Sequence, residues 1–454
     1  PGTWSVASPL RFRICNGSAW YFCMNTAEAI RQTDWGFKCR YNMMGWQCDT
    51  KIPLSQQYEG LRANGLLAEL DKREMAIHGP AHCFNLLLDS DTYMANHPEW
   101  FGLRAGKRVP QTYAGAQFCW SNVEACHQLV RNAVEFIVHS PHIRIFLPAP
   151  FDGGVSCECA DCRRQGAGNL LAQLMNEMTA EIAAVAPDVH VEATGGYSPV
   201  NDPPAEVPLY PRLRILYAHW GRNHARGYAD PHYDRIDNLM AWRRAARDGM
   251  TLCQYYTDNF ASPWIAPPYA IAMVSDRERM LAHNIDSVYM LIWSPGYWWN
   301  HSLNGYLAGR CFYDVSIDPF ADIHDYAVHY FGLEAGPLLG AYYGQWAREI
   351  ELAYRVKDFS QPVHRAMLAE QRRRWIDPAV MAARHDSVIA HRVGKVEKLH
   401  ALAERLTEAH RQRDELWSAR EAGDFDRAAQ LLRQVDACTA EALEYMGRIA
   451  DLGQ

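Results

Sequence analysis

The sequence predicts an α/β fold, a (β/α)8 TIM-type barrel followed by a C-terminal α-helical region. Three observations predict it. Strand-like and helix-like segments alternate up to about residue 312 and supply eight strand candidates. The turn after the first strand, Cys15-Asn-Gly-Ser-Ala, lacks the glycine-rich fingerprint that a doubly wound nucleotide-binding sheet would need there. Beyond residue 317 the pattern turns continuously helical, with Ala, Leu, Arg and Glu dominating 380–450. We therefore expect a barrel over 1–316 and a helical domain over 317–454.

The elements run in order. Arg11–Cys15 reads as the first strand, Thr26–Trp35 as a helix, and Phe37–Met44 as the second strand. A helix over 55–71 leads to the third strand, Glu74–His78. A long loop, 79–118, holds His97-Pro-Glu-Trp-Phe101 and Gly106-Lys-Arg108. Helix 121–138, capped by Ser121 or Asn122, precedes the fourth strand, 142–147. A cysteine-rich loop and helix Asn169–Val185 lead to the fifth strand, Val189–Thr194, and then the sixth, Leu213–His219. Helix Asp234–Arg247, strand Met250–Tyr256, helix Asp276–His283, strand Ser287–Trp293 and a helix over 301–312 complete the barrel.

Composition narrows the function classes. At 48% hydrophobic the chain can bury a large core, and a net charge of −7 is too mild to suggest nucleic acid or an anionic membrane surface. No apolar stretch approaches the roughly 20 residues of a membrane span. Thirteen cysteines, an odd number, leave at least one unpaired. Those scattered singly in apolar surroundings (Cys15, Cys39, Cys83, Cys253) suit reduced, buried thiols better than a disulfide framework. The first residue is Pro1, so we expect a start or signal segment to have been removed.

A barrel of this kind works at the C-terminal ends of its strands, which turns the strand order into a list of candidates. His78 and His82 follow the third strand, Asp152 the fourth, Tyr197 the fifth, and His219 and Trp220 the sixth. Tyr256, Asp258 and Asn259 follow the seventh; Trp293, Tyr297, Trp299 and Asn300 follow the eighth. Aromatic faces stack on the C–H faces of pyranose rings, and carboxylates and amides bind hydroxyls, so this mixture points to a carbohydrate. Lys, Arg and glycine-rich nests, which a phosphate would need, are scarce there. Glycoside hydrolysis usually uses two carboxyl groups, and Asp152 with Asp258 is the best-placed pair. Glu192 lies mid-strand and reads as a barrel-interior carboxylate paired with an Arg or Lys.

Five residues after Asp152 comes Cys157-x-Cys159-x2-Cys162. Three thiolates so close can wrap a tetrahedral zinc, with Cys119, Cys126 or a histidine as fourth ligand. A disulfide with a spare thiol, or three free thiols, are the alternatives. No cofactor is expected for the chemistry itself, and the zinc would be structural.

The pieces His97-Pro-Glu-Trp-Phe101, Gly106-Lys-Arg108, Cys119 with Asn122, Asp152 before the cysteines, and Tyr256-Thr-Asp-Asn-Phe260 form a recognisable set. So do Leu303-Asn-Gly-Tyr-Leu-Ala-Gly-Arg310 and Tyr313-Asp314. Together, over roughly 75–330, they resemble an uncharacterised bacterial domain family that overlaps glycoside hydrolase family 163. The resemblance implies a (β/α)8 barrel related to retaining hexosaminidase-like enzymes that act on β-linked N-acetylglucosamine in N-glycan cores. The family tends to carry an acidic residue after the eighth strand. Trp299-Asn300-His301-Ser302 has none, which moves the acid role to Asp152 or Asp258.

The expected function is thus a retaining glycoside hydrolase acting on a β-linked glycan that can include N-acetylhexosamine. The competing readings are a catalytically inactive glycan-binding barrel and a zinc-dependent hydrolase built on the cysteines. The expected partners are a carbohydrate and, through the C-terminal helices, a second copy of the chain. Relatives are often exported while the cysteines look reduced, so the compartment stays open.

Overall fold

The computed structural model describes residues 8–16, 26–112, 115–220, 222–230, 233, 235–257, 266–292, 298–349 and 362–451. Eight parallel strands close into a barrel: β1 (Phe12–Asn16), β2 (Met43–Gln47), β3 (Ala76–Ala81), β6 (Ile143–Phe146), β7 (His190–Gly195), β8 (Leu213–Tyr217), β9 (Met250–Thr257) and β10 (Ser287–Ile292). β4 (Gly102–Arg104) and β5 (Lys107–Val109) form a separate antiparallel hairpin inside the loop after β3. Closure comes from β1 pairing with β10, in register from Phe12 opposite Ser287 to Asn16 opposite Leu291.

Helices cover the outside: α1 (Thr26–Lys38), α2 (Leu54–Ala63), α3 (Leu66–Asp71), the short α4 (Phe84–Leu87) and α5 (Ser90–Tyr93), α6 (Val123–Val138), α7 (Ala160–Gln165), α8 (Ala167–Val185), α9 (Ile236–Ala245), α10 (Ala270–Ala282) and α11 (Trp298–Tyr313). The C-terminal part is helical: α12 (Pro319–Arg348), α13 (Pro362–Gln371), α14 (Asp377–Ala383), α15 (Ser387–Glu421) and α16 (Phe425–Asp451). α12 kinks at Gly332, where φ is 80°. It packs on both the barrel's outer core, through Ile323 and Ala347, and a second core with Leu368, Ile376, Val393 and Ala403. Among the described residues no helix is long and apolar enough to cross a membrane.

Several boundaries differ from expectation: the helix expected from Asp276 already starts at Ala270, and three further differences have clear local causes. Phe37 and Lys38 belong to α1, and Arg40, at φ 74°, turns the chain before β2 starts at Met43. The helix expected over 55–71 is two, because Gly65 adopts φ 77° between them. β3 extends to Ala81, so His78 lies within the strand and not at its end.

The barrel interior alternates as a pleated strand requires. Ile14, Met43, Ala81, Ile145, Leu147, Leu216, Ala218, Cys253, Tyr255 and Tyr289 point inward and form one apolar cluster. Gly45 is glycine for a reason: a Cβ there would come within 2.8 Å of Asn16 Cβ and 3.0 Å of the Tyr289 ring. Beside this cluster sits a buried charged network. Glu192 accepts from His78 Nε2 at 2.7 Å and Thr251 Oγ1 at 2.5 Å, with Arg214 Nε 3.6 Å away. Arg214 also donates to both Asp286 oxygens, at 2.8 and 3.1 Å, and to Ser287 Oγ at 2.8 Å. The Glu192 carboxylate is therefore the interior member of an Arg-centred network, as its mid-strand position suggests.

A second buried pair braces the outer face of β9. Arg222 donates to Asp276 Oδ2 at 2.6 Å and to Gln254 Oε1 at 3.2 Å, with its guanidinium 3.8 Å from the Tyr228 ring centre. Burial lifts the Asp276 carboxyl above its ordinary range against the pull of Arg222. Burial also holds His224 neutral, well below the usual imidazole range, and lowers His301 to about 4.

Two outcomes follow from these buried groups. Arg214→Met strands Glu192 and Asp286 together, so it should cost about 3–5 kcal/mol in urea unfolding. His301 binds its proton near pH 4 folded, against 6.5 unfolded, so its contribution is present above pH 6.5 and lost as the pH falls towards 4. At full extent that is about 3 kcal/mol. Unfolding measured from pH 7 to pH 4 should show a smaller acid loss in His301→Asn than in the parent protein.

Candidate active site and four-cysteine centre

All eight strands being parallel, their C-terminal ends share one face, and loops from that face build the mouth. Asp152 stands there, half-buried, in the turn six residues after β6. His82, half-buried with φ 55°, donates Nδ1–H to the Pro150 carbonyl at 2.6 Å, which ties the β3 loop to the residues just before Asp152. Tyr197 packs on the rim of the interior apolar cluster. His219 Nδ1 lies 3.0 Å from the Tyr233 hydroxyl, and Trp220 beside it is 58% exposed. An exposed indole next to a barrel mouth offers a stacking face.

Two of the expected site residues sit elsewhere. His78 is only 1% exposed and bonded to Glu192 inside the barrel, so it supports the floor and cannot touch a ligand at the mouth. Tyr256 is fully buried on the outer side of β9, with its hydroxyl hydrogen-bonded to Asp276. The alternation of β9 puts Tyr255 inward, so Tyr256 must face the helices. Asp258, Asn259, Trp293 and Tyr297 lie outside the described residues, as do the side chains of Trp299 and Asn300.

Sequence reasoning missed two polar residues at strand ends. Asn16 closes β1, donates Nδ2–H to the Tyr289 hydroxyl, and has no partner for its buried Oδ1 among the described residues. Gln47 ends β2 and donates to the Ala81 carbonyl at 3.3 Å. Their position immediately after an apolar strand core was the available signal.

The loop that carries Asp152 is held by its neighbour, 102–119. Gln117 N donates to Val155 O at 3.1 Å and Val155 N to Gly115 O at 2.8 Å. The Gln117 amide brackets Phe151, donating to its carbonyl at 3.1 Å and accepting from its N–H at 3.3 Å. Gly154 leaves room for that amide: a Cβ there would fall 1.6 Å from Gln117 Nε2. Glu158 adds a bond to Ala105 N and a salt bridge to Arg104, each at 2.8 Å.

Below this seam the sulfurs of Cys119, Cys157, Cys159 and Cys162 all lie within 4.8 Å of one another. Cys119, and not Cys126, joins the three expected from spacing; Cys126 Sγ is committed to the Trp120 carbonyl at 3.3 Å. Hydrogen bonds from Cys157 and Cys162 pull the Cys119 thiol down, while facing that sulfur holds Cys162 up. The four could hold a structural metal such as zinc, and with every position a thiolate none is left for water, unlike an open catalytic site.

Comparison with known proteins agrees with this architecture. No curated protein matches the chain. Among solved structures it is similar to a GH138 enzyme targeting pectin rhamnogalacturonan II, with a TM-score of 0.57 and 10% identity over 99% of this chain and 63% of that one. It is also similar to CpGH84B, with a TM-score of 0.54 and 9% identity over 98% of this chain and 77% of that one. The chain thus spans under two thirds of the first structure's length, and the likeness is one of fold: an eight-stranded barrel with helices after it. Residues 16–344 match the family described as a domain of unknown function, DUF4838, and the chain belongs to that family.

Proposed function

We propose that this barrel is a retaining glycoside hydrolase acting on a β-linked glycan that contains N-acetylhexosamine. The observation that carries the reading is Asp152: a half-buried carboxylate at the C-terminal end of a barrel strand, on a turn bracketed by Gln117 and by the His82–Pro150 bond. The barrel's likeness to glycoside hydrolases supports it. In this reading Asp152 and Asp258 flank the scissile bond. One protonates the leaving oxygen and later acts as base; the other is nucleophile or polarises a substrate acetamide. Trp220 and Tyr197 would stack on the sugar, with His82 and His219 on its hydroxyls. Of the residues expected from sequence, His78 and Tyr256, both buried away from the mouth, leave this set. Residues 1–316 would carry the chemistry and 317–454 would buttress the barrel.

A glycan-binding barrel without turnover is the second reading, favoured by the lack of a carboxylate in Trp299-Asn300-His301-Ser302. A panel of p-nitrophenyl β-glycosides and released N-glycans separates the two. The proposal expects turnover, with kcat falling about 10²–10⁴-fold in Asp152→Asn and in Asp258→Asn. Glycan binding without turnover by the parent protein would favour the second reading, and neither binding nor turnover would contradict both.

A further inference from the structure

We infer that Cys119, Cys157, Cys159 and Cys162 bind one Zn²⁺ in a closed tetrahedral site, and that this ion clamps the loop presenting Asp152 to the loop after β3. All four thiols are free, and two of their separations match the edge of a metal tetrahedron and not a disulfide. Cys119 Sγ lies 3.7 Å from Cys159 Sγ and 3.8 Å from Cys162 Sγ. A tetrahedron with metal–sulfur bonds of about 2.3 Å has edges of about 3.8 Å. A disulfide would need about 2.05 Å.

The surroundings are those of thiolates. Leu103 N donates to Cys157 Sγ at 3.2 Å, Cys159 N to the same sulfur at 3.5 Å, and Cys162 N to Cys159 Sγ at 3.4 Å. Arg108 Nη1, 3.8 Å from Cys157 Sγ, sets a positive charge against a centre that would carry two net negative charges. Such outer partners orient ligands and stabilise their ionised form. Four soft sulfurs suit zinc in preference to hard cations. On binding, each thiol still protonated releases its proton to solvent and no electron is transferred.

The ligands come from two places in the chain. Cys119 precedes α6, while Cys157, Cys159 and Cys162 lie on the loop after β6 and the start of α7. One ion therefore joins segments separated by about forty residues, against the β4–β5 hairpin whose Leu103 N–H donates to Cys157 Sγ. A cross-link of that span removes conformational freedom from the loops it joins. Asp152 stays outside the coordination sphere and is positioned through Phe151 and Val155.

The test uses the full chain and needs no substrate, so it stands or falls apart from the glycosidase reading. Metal analysis of protein purified under reducing conditions, then reconstituted with zinc and desalted, should give one zinc per chain. Cys126→Ala should keep it, and Cys119→Ala should lose most of it. Cobalt substitution should give the charge-transfer bands of tetrahedral thiolate ligation. Stripping the metal from the parent protein should speed hydrogen exchange at residues 151–158 well above its rate in the zinc form, with β8 unchanged. A parent protein that takes up no zinc, that holds iron instead, or that shows disulfides among these four cysteines would overturn the site. Zinc bound with unchanged exchange at 151–158 would overturn the clamp.

Discussion

The pairing of Phe12–Asn16 with Ser287–Leu291 is the constraint on which the rest depends. An open parallel sheet of eight strands would leave two edges and two faces to cover. Closing it removes the edges and brings all eight carboxyl ends onto one rim. The interior must then be filled, and it is filled unevenly. One apolar cluster lies in it, and beside that cluster buried Arg214 links Glu192, itself bonded to His78, to the partly buried Asp286. That network does no visible work on a ligand. It ties β3, β7 and β8 to one another and to Asp286 and Ser287 at the start of β10, and removing Arg214 would leave the Glu192 carboxylate buried without its cation.

With the strands fixed, placing chemistry becomes a problem for the loops, and the loop that holds Asp152 has no regular element of its own at that residue. A surface turn could not hold a carboxylate to the accuracy that catalysis needs. Here the neighbouring loop supplies main-chain bonds at Gly115 and Gln117, a side-chain bracket on Phe151, and a fourth sulfur. In the proposed reading the cysteines and the aspartate divide the labour: the sulfurs would set rigidity and the carboxylate would serve the mouth.

Much of this was legible in the sequence. The alternation of strand and helix gave the barrel, and the spacing Cys157-x-Cys159-x2-Cys162 gave three members of the sulfur cluster. The misreadings have local causes. Phe37-Lys-Cys-Arg-Tyr41 alternates like a strand, but its first residues finish a helix that Arg40 ends by a left-handed turn. The hairpin at 102–109 was hidden because its two-residue turn is Ala105-Gly106, with φ of 46° and 79°, where an Asn-Gly pair would have announced it. His78 looked like a strand-end residue because the glycine and proline after it read as the start of a loop, though β3 runs through both. Tyr256 failed for a simpler reason: one step along a strand reverses the side chain, and sequence alone does not say which of Tyr255 and Tyr256 faces in. Cys119 could not be chosen over Cys126, since only the fold brings a residue some forty positions upstream against the loop.

The central claim is that a sugar is bound, and its glycosidic bond broken, beside Asp152. The most direct measurement is a crystal structure of Asp152→Asn protein soaked with a β-linked N-acetylglucosamine oligosaccharide. The account predicts sugar at the barrel mouth, with a glycosidic oxygen about 3 Å from the residue-152 side chain. Sugar bound at the mouth but remote from that side chain, or no sugar at the mouth at all, would contradict it.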